Sequence, residues 1–194
     1  DVVMNYFVGI SGYSHESAAA LINADGELVD YCREEYLSRV KSDKSFPRRS
    51  INKIITENNI KYSDIDSVCF YEKPLSAYIN PLKTAIQNRK LSVDLCIHQL
   101  KNFRNSSINF YSDISKISKT LRKKVIYCDH HLSHTLTSLF YCQNKEYCSI
   151  VIDGFGNHST STIHLVENIN NISSVWQCSY PASLGLYYSA ITDF

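Results

Sequence analysis

The sequence is poor in the residues that mark non-globular chains, with 6 glycines and 4 prolines among 194 residues. This scarcity excludes collagen-like, low-complexity and disordered classes, since 44% of the residues are hydrophobic and only 20% are charged. An excess of one charge sign is also absent, because 20 Lys and Arg face 19 Asp and Glu. The chain therefore has no overall field to hold a polyanion, and nucleic acid is not expected as a partner.

Signals for export and membrane insertion are missing as well. The first basic residue is Arg33, so the N-terminal residues lack the charged region of a secretory signal. Residues 168–192 carry no charge, but asparagine, glutamine and proline interrupt them too often for a membrane span. Seven scattered cysteines include no CxxC pair, and most have apolar neighbours, which is typical of reduced core thiols. These absences predict a soluble, cytoplasmic protein with no membrane partner.

Two three-strand meanders are predicted, over residues 4–33 and 148–178, each with a glycine loop beside its first strand. Apolar spacing between them predicts helices that open near Phe46-Pro47 and Asn80-Pro81, and others around residues 111–121 and 131–141. This order of strands and helices favours an α/β architecture with mixed sheets. The repeat indicates a duplicated fold, with residues 1–146 as the first lobe and residues 147–194 as the beginning of a second.

The run from Asp129 to His134 is the strongest local signal for chemistry. His130 and His134 stand four residues apart and would project from one helical face onto a shared metal ion. Asp153 ends an apolar strand 19 residues after His134 and could supply a third ligand. Two imidazoles and a carboxylate suit Fe(II), Zn or Mn alike. The alternative is a capped or solvated helix face, with Asp153 acting only as a turn former.

Three further residues lie in patterns that permit binding or catalysis. His15 follows the first glycine loop, where a general base could sit at the rim of a sheet, although an ordinary rim histidine fits equally. Lys41 belongs to a basic segment that could meet an anionic substrate or form a solvated loop. The second glycine loop, which contains Gly154, could offer backbone N–H groups to phosphate or serve only as a hairpin turn. No nucleophile elbow, Walker loop or Rossmann fingerprint occurs.

Several motifs occur in one order along almost the whole chain. They are GISGYSHESAAALI at 9–22, EEYLSRVKSD at 34–43, HHLSH at 130–134, DGFG at 153–156 and PASLGLYYSAIT at 181–192. Taken together, they resemble the nodulation-protein and antibiotic type of O-carbamoyltransferase, whose N-terminal domain is like that of the threonylcarbamoyl-transfer proteins. The resemblance implies an actin, hexokinase and Hsp70-like lobe, also called ribonuclease H-like, followed by the start of a duplicated second lobe.

The resemblance also implies an activity and roles for particular residues. Such enzymes make carbamoyl-adenylate from carbamoyl phosphate and ATP, and then pass the carbamoyl group to a hydroxyl of a small-molecule acceptor. By this analogy His130, His134 and Asp153 bind a divalent metal, with Fe(II) favoured over Zn or Mn. His15 would lie beside the acceptor hydroxyl as the catalytic residue, while Lys41 and Gly154 would bind the substrate. A homodimer is a candidate assembly.

Four positions depart from the family pattern: Glu16 replaces Asp, Tyr36 replaces Arg, Ser42 replaces His and Asn157 replaces Glu. Losing the carboxylate at Asn157 and the cation at Tyr36 favours altered or absent activity. The second lobe is expected to be incomplete and the adenylate-forming domain absent, so this chain alone should bind metal weakly and transfer nothing. The alternatives are a catalytically inactive nucleotide-binding or metal-binding domain of the same fold, and a relative acting in tRNA threonylcarbamoylation.

Overall fold

In a computed structural model the protein has a mixed α/β fold, described for residues 5–14, 16–87, 93–94, 97, 100–101, 109–139, 141–142, 146–157 and 159–192. The strands are β1 Tyr6–Ser11, β2 Ala18–Asn23, β3 Leu28–Arg33, β4 Ile65–Phe70, β5 Val125–Tyr127, β6 Tyr147–Gly156, β7 Ser159–Asn168 and β8 Asn171–Ser179. The helices are α1 Glu34–Ser38, α2 Arg48–Glu57, α3 Pro74–Gln87, α4 Phe110–Ile117, α5 Lys119–Arg122, α6 His130–Ser138 and α7 Leu184–Thr192. The predicted α/β class is confirmed.

The chain divides into two compact units, one of residues 1–71 and 104–127 and the other of residues 72–103 and 128–194. Helix α6 belongs to the second unit, where it packs against β6 and β7 of the second sheet. The lobe boundary at residue 146 stays a prediction. The predicted strand meanders are confirmed: β1, β2 and β3 pair antiparallel in one sheet, and β6, β7 and β8 do so in another. The duplication of a whole lobe stays a prediction.

The first unit is built on a five-stranded sheet with the order β3-β2-β1-β4-β5, in which β4 and β5 run parallel to β1. Alternate residues of these strands, such as Val8, Leu21 and Phe70, face the core. Helix α2 covers that face with Ile51 and Ile54, which are spaced to lie on one side of the helix. This apolar layer is the hydrophobic core of the first unit.

One predicted helix boundary is wrong. The sequence pattern places a helix start at Asn80-Pro81, whereas α3 begins at Pro74 and contains both residues in its interior. Proline is favoured in the first turn of a helix, where its missing N–H has no intrahelical partner, and Pro74 takes that position. Pro81 lacks the N–H for one main-chain bond of the helix, a loss that α3 accommodates.

The second unit is built on the three-stranded sheet of order β6-β7-β8. Its buried positions are largely polar, since Thr160, Thr162 and His164 of β7 are all buried. Helix α6 packs against this sheet, and α7 packs mainly against β6. The sheet therefore presents hydroxyl and imidazole groups to α6 in place of an apolar core.

The cysteines are less buried than predicted. Cys32 is buried, but Cys69 and Cys148 are exposed. Cys69 lies between the buried residues Val68 and Phe70, so the alternation of a strand turns it to the opposite face. Among the described residues, no helix has both the length and the apolar character needed to cross a bilayer.

Candidate metal centre

Helix α6 brings two histidines to one side of the second unit. Asp129 precedes the helix with extended backbone, and its carboxylate accepts a hydrogen bond from the Leu132 N–H at 3.4 Å, which caps the first turn. His130 and His134 follow at a spacing of four, so their side chains leave the same helix face. The helix begins at His130, one residue before the predicted start.

Asp153, in β6, completes a triangle of possible ligand atoms with these histidines. Its Oδ2 lies 2.7 Å from His130 Nε2 and 3.9 Å from His134 Nε2. The two imidazole nitrogens are 3.2 Å apart. The structure thus brings together the three residues that the sequence predicts as ligands, and within the described part of the chain no other group of three His, Cys, Asp or Glu is arranged to hold a metal ion.

The pKa shifts of Asp153 and His134 suit a cation site. The hydrogen bond from His130 is the main reason why the pKa of Asp153 is lowered to about 2, so this carboxylate is ionised at neutral pH. Burial, and then the neighbouring His130, lower the pKa of His134 and favour its neutral form. A carboxylate can only accept a hydrogen bond, so His130 Nε2–H is the donor to Asp153. A divalent cation would take the place of that proton.

The spacing of the donor atoms also fits an ion. Metal bonds of about 2.0–2.2 Å place neighbouring ligand atoms about 3.0–3.6 Å apart. The three observed separations, from 2.7 to 3.9 Å, bracket that range. Small side-chain adjustments would therefore suffice for binding, and two imidazoles with one carboxylate are suitable ligands for Fe(II), Zn or Mn.

Glycine is required at position 156 because two imidazole rings lie against it. A Cβ atom at Gly156 would lie 2.5 Å from His130 Cδ2 and 2.7 Å from His131 Cδ2. Real Cβ atoms do not approach other side chains this closely, so only glycine lets β6 come this near to α6. The second glycine of the DGFG motif thus serves the packing of the histidines.

Gly154, the predicted substrate-binding residue, hydrogen-bonds to the candidate ligand beside it. Its N–H donates to Asp153 Oδ1 at 2.6 Å, which leaves Asp153 Oδ2 facing His130. The donor that a phosphate contact would need is therefore engaged by Asp153. A role for Gly154 towards substrate stays a prediction.

Two buried hydrogen-bonded pairs fix α6 on β7, and sequence reasoning missed both. His131 Nδ1 lies 2.9 Å from Thr162 Oγ1, and Thr135 Oγ1 lies 2.9 Å from His164 Nδ1. Burial is the main reason why the pKa of His131 is lowered to about 4, and burial also lowers the pKa of His164. The available signal was a second pair at a spacing of four, His131 and Thr135, beside the alternating Thr162 and His164.

Two predicted site residues, His15 and Lys41, precede α2 in the sequence. His15 lies outside the described residues, and Lys41 is exposed in the loop between α1 and α2. Main-chain hydrogen bonds of 2.9 Å from Tyr13 N–H to Lys44 C=O and 2.8 Å from Ser17 N–H to Asp43 C=O join the two loops. The segments that flank His15 are therefore tied to the segment that follows Lys41.

Two departures from the family pattern have structural partners. Tyr36 is exposed, and the Arg33 guanidinium lies 5.6 Å from the centre of its ring. Asn157 is buried with a positive φ of 43°, and its side-chain amide donates to the Lys73 carbonyl at 3.2 Å.

The Glu72 carboxyl group interacts with His130 and was missed by sequence reasoning. Burial raises the pKa of Glu72, and the electrostatic effect of His130 opposes that rise.

The chain has relatives among curated proteins. It is 30% identical to the uncharacterized protein sll1178 of Synechocystis sp., over 98% of this chain and 32% of that protein. It is 25% identical to the nodulation protein NolNO of Sinorhizobium fredii, over 91% of this chain and 25% of NolNO. It is 27% identical to the uncharacterized protein MJ1051 of Methanocaldococcus jannaschii, over 92% and 28% of the two chains. The chain therefore spans a third or less of the length of these relatives.

A comparison with protein families identifies the family of this chain. Residues 6–194 match the family described as carbamoyltransferase N-terminus. The match includes the three candidate ligands His130, His134 and Asp153, and also Gly154 and Gly156. Because it extends over nearly all of the sequence, the chain belongs to the carbamoyltransferase N-terminus family.

Proposed function

We propose that this chain is the N-terminal part of an ATP-dependent O-carbamoyltransferase with a divalent metal centre at His130, His134 and Asp153. The observation that carries the proposal is the convergence of these three side chains in a member of the carbamoyltransferase N-terminus family. The proposed overall reaction makes carbamoyl-adenylate from carbamoyl phosphate, ATP and water, with release of inorganic phosphate and pyrophosphate. The carbamoyl group then passes to a hydroxyl of a small-molecule acceptor. The proposal includes an actin, hexokinase and Hsp70-like duplicated fold, which is supported by the two similar meanders. It also includes a cytoplasmic location.

In the transfer step the acceptor oxygen attacks the carbamoyl carbon and the bond to the adenylate phosphate breaks, so that AMP leaves. His15 takes the proton of the acceptor hydroxyl, because a hydroxyl is a poor nucleophile until a base removes that proton. Lys41 contacts the anionic carbamoyl-adenylate from its exposed loop. The metal, when bound, would polarise an oxygen of the substrate and stabilise the negative charge that develops there.

His130, His134 and Asp153 would hold that ion, with Fe(II) favoured over Zn or Mn. The Gly154 N–H keeps Asp153 Oδ1 engaged and leaves Oδ2 facing the histidines. Gly156 gives the His130 ring room to stand against β6. These residues need only release the proton between His130 and Asp153 in order to bind a cation.

Metal binding by the 194-residue chain tests the centre. We expect Zn²⁺, titrated against a chromogenic chelator, to bind with one site per chain, and Asp153→Asn to weaken binding at least tenfold because the carboxylate charge is lost. Asp25→Asn, in the exposed turn between β2 and β3, is the matched control and should bind Zn²⁺ as the unchanged chain does. Equal affinity in Asp153→Asn would refute the centre.

The transfer reaction is tested on the longest reading frame that contains this sequence. Pyrophosphate release reports adenylate formation, and the mass of the product reports carbamoyl transfer to a hydroxyl acceptor. We expect His15→Asn to abolish transfer while sparing pyrophosphate release, since His15 acts on the acceptor. Equal loss of both steps would show that His15 is not the acceptor base.

A catalytically inactive binding domain of the same fold is the second candidate. The observation in its favour is Asn157, which stands where the family pattern has Glu and uses its amide to bind the Lys73 carbonyl. This candidate predicts metal binding without pyrophosphate release or transfer in the longest reading frame. A role in tRNA threonylcarbamoylation would instead need a basic surface that binds tRNA, and the net charge of +1 does not favour such a surface.

A further inference from the structure

We propose that Ser183 and Gly185, at the start of α7, are positioning residues that hold the Asp153–Gly154 peptide so that the Asp153 carboxylate faces His130 and His134. We call this pair the α7 clamp. The inference rests on the metal centre of the proposed function. It assigns a positioning role to α7, which contributes none of the three candidate ligands.

The first half of the clamp is a hydrogen bond from Ser183 to the backbone of β6. Ser183 Oγ lies 2.8 Å from the Gly154 carbonyl oxygen and 3.2 Å from that of Asp153. The same oxygen accepts the Leu186 N–H at 3.1 Å, as an N-cap serine does. The hydroxyl that starts the helix therefore also fixes the main chain at the candidate ligand.

The second half of the clamp is the absence of a side chain at Gly185. A Cβ atom there would lie 2.4 Å from the carbonyl carbon of Asp153 and 2.5 Å from both the Asp153 oxygen and the Gly154 nitrogen. All three atoms belong to one peptide group, which cannot move aside as a flexible side chain can. Alanine at 185 would therefore displace either α7 or the Asp153–Gly154 peptide.

The peptide that the clamp holds also orients the carboxylate. Its N–H, on Gly154, donates to Asp153 Oδ1 at 2.6 Å, and Oδ2 then lies 2.7 Å from His130 Nε2. A shift of the peptide would turn the carboxylate away from the histidines. The start of α7 is itself anchored, because Thr160 Oγ1 donates to the Ala182 carbonyl at 2.5 Å. Hydrogen bonds thus link β7 to residue 182 and the adjacent Ser183 to the main chain at Asp153 and Gly154.

Zn²⁺ affinity of the 194-residue chain tests the α7 clamp. We expect Ser183→Ala to weaken binding about tenfold, since the loss of groups that orient a metal ligand typically costs 10–100-fold in affinity. Ser183→Thr keeps the hydroxyl and should restore affinity to within about threefold. Ser189→Ala is the matched control and should leave affinity unchanged. It removes a hydroxyl from the same helix, but that hydroxyl donates to the Gly185 carbonyl and not to the Asp153–Gly154 segment.

A second readout needs no metal. In the presence of EDTA, amide hydrogen exchange of Gly154 should become faster in Ser183→Ala than in Ser189→Ala, because the hydrogen bond to Asp153 Oδ1 loosens. Gly185→Ala should show both effects more strongly, and Gly9→Ala is its control because a Cβ at Gly9 meets nothing within 4 Å. Unchanged Zn²⁺ affinity in Ser183→Ala would overturn the clamp. If the unchanged chain binds no Zn²⁺, the metal centre fails, and Gly154 exchange alone decides whether the clamp holds Asp153.

Discussion

The two units of the molecule use the same strand meander to enclose opposite kinds of interior. In the first unit the meander faces a continuous apolar cluster that includes Leu21, Ile54 and Phe70. In the second, the buried residues of β7 are Thr, Ser and His, apart from Val166. Burying apolar surface stabilises a fold without fixing orientation, whereas hydrogen-bonded pairs require defined geometry.

The two kinds of interior meet different structural requirements. The first unit needs a stable platform for two loops, and an apolar core suffices for that. In the second unit the rotation of α6 is fixed on the face that turns His130 and His134 towards Asp153. The pairs His131–Thr162 and Thr135–His164 fix that rotation at a lower gain in stability than apolar packing would give.

The largest effect that would test this comparison is Phe70→Ala. Phe70 is fully buried, and its ring centre lies 4.6 Å from that of Phe110. We expect a loss of about 3–5 kcal/mol in the free energy of unfolding, measured by circular dichroism in urea. Ile126→Ala, at an exposed position of the same sheet, should cost far less. Equal costs for both would show that the apolar cluster is not the core of the first unit.

A pH titration tests the polar interior of the second unit. The pKa of His131 is about 4 in the folded chain and about 6.5 when unfolded, so the unfolded chain gains the proton first as pH falls. Stability is therefore retained above about pH 6.5 and decreases towards pH 4, by about 3 kcal/mol. The single tryptophan, Trp176 in β8, reports unfolding of this unit by its fluorescence in EDTA.

His131→Gln is the control for that titration because glutamine carries no titrating group. Its stability should depend less steeply on pH between about 6.5 and 4 than that of the unchanged chain. Parallel pH curves for the two proteins would contradict the assignment of a neutral, buried His131.

A smaller effect is expected for Thr162→Val. Valine keeps the volume but leaves His131 Nδ1 buried without its hydroxyl partner, at a cost of about 2 kcal/mol. Trp176 fluorescence in urea measures the change. Thr137→Val, where the hydroxyl bonds only an exposed helix carbonyl, is the matched control and should be nearly neutral. If the two variants behave alike, the polar pairs do not fix α6.

The smallest effect is expected at Glu34, a buried acidic side chain in the first unit. Glu34 accepts hydrogen bonds from the N–H groups of Arg49 and Ser50 and from the Ser50 hydroxyl, and so caps α2 from outside the helix. Glu34→Gln should cost about 1 kcal/mol, since a neutral acceptor bonds the helix N-terminus less strongly. The free energy of unfolding is measured in urea, with Glu57→Gln at an exposed position as the control. An equal loss of stability in the two variants would show that Glu34 does not cap α2.

Local signals in the sequence predict much of this fold, and contacts between distant elements account for what they miss. The first meander follows from strand alternation and from the turn at Asp25-Gly26, all within one stretch of chain. The start of α3 is ambiguous because Pro74 and Pro81 give the same signal. The spacing of His130 and His134 predicts a shared face, and their role as ligands stays a prediction.

The polar pairs and the α7 clamp could not be derived in the same way. Thr162 meets His131 only through the register of β7 against α6, and Ser183 meets Gly154 across 29 residues of chain. A strand with hydroxyl and imidazole side chains fits a solvent-exposed face as well as a buried one. Only packing decides that they are inside, and packing depends on the whole unit.

The main-chain bonds between the loop that contains Tyr13 and Ser17 and the loop that contains Lys41 have an entropic consequence. Fixing a residue's backbone costs about 1–2 kcal/mol, and these bonds ensure that folding has already met this cost for residues 43 and 44. An anionic group that binds Lys41 then needs to order mainly a side chain, at about 1.5–2 kcal/mol. If Lys41 binds an anionic substrate as proposed, its affinity is governed by the freedom of the lysine side chain more than by the freedom of the loop that carries it.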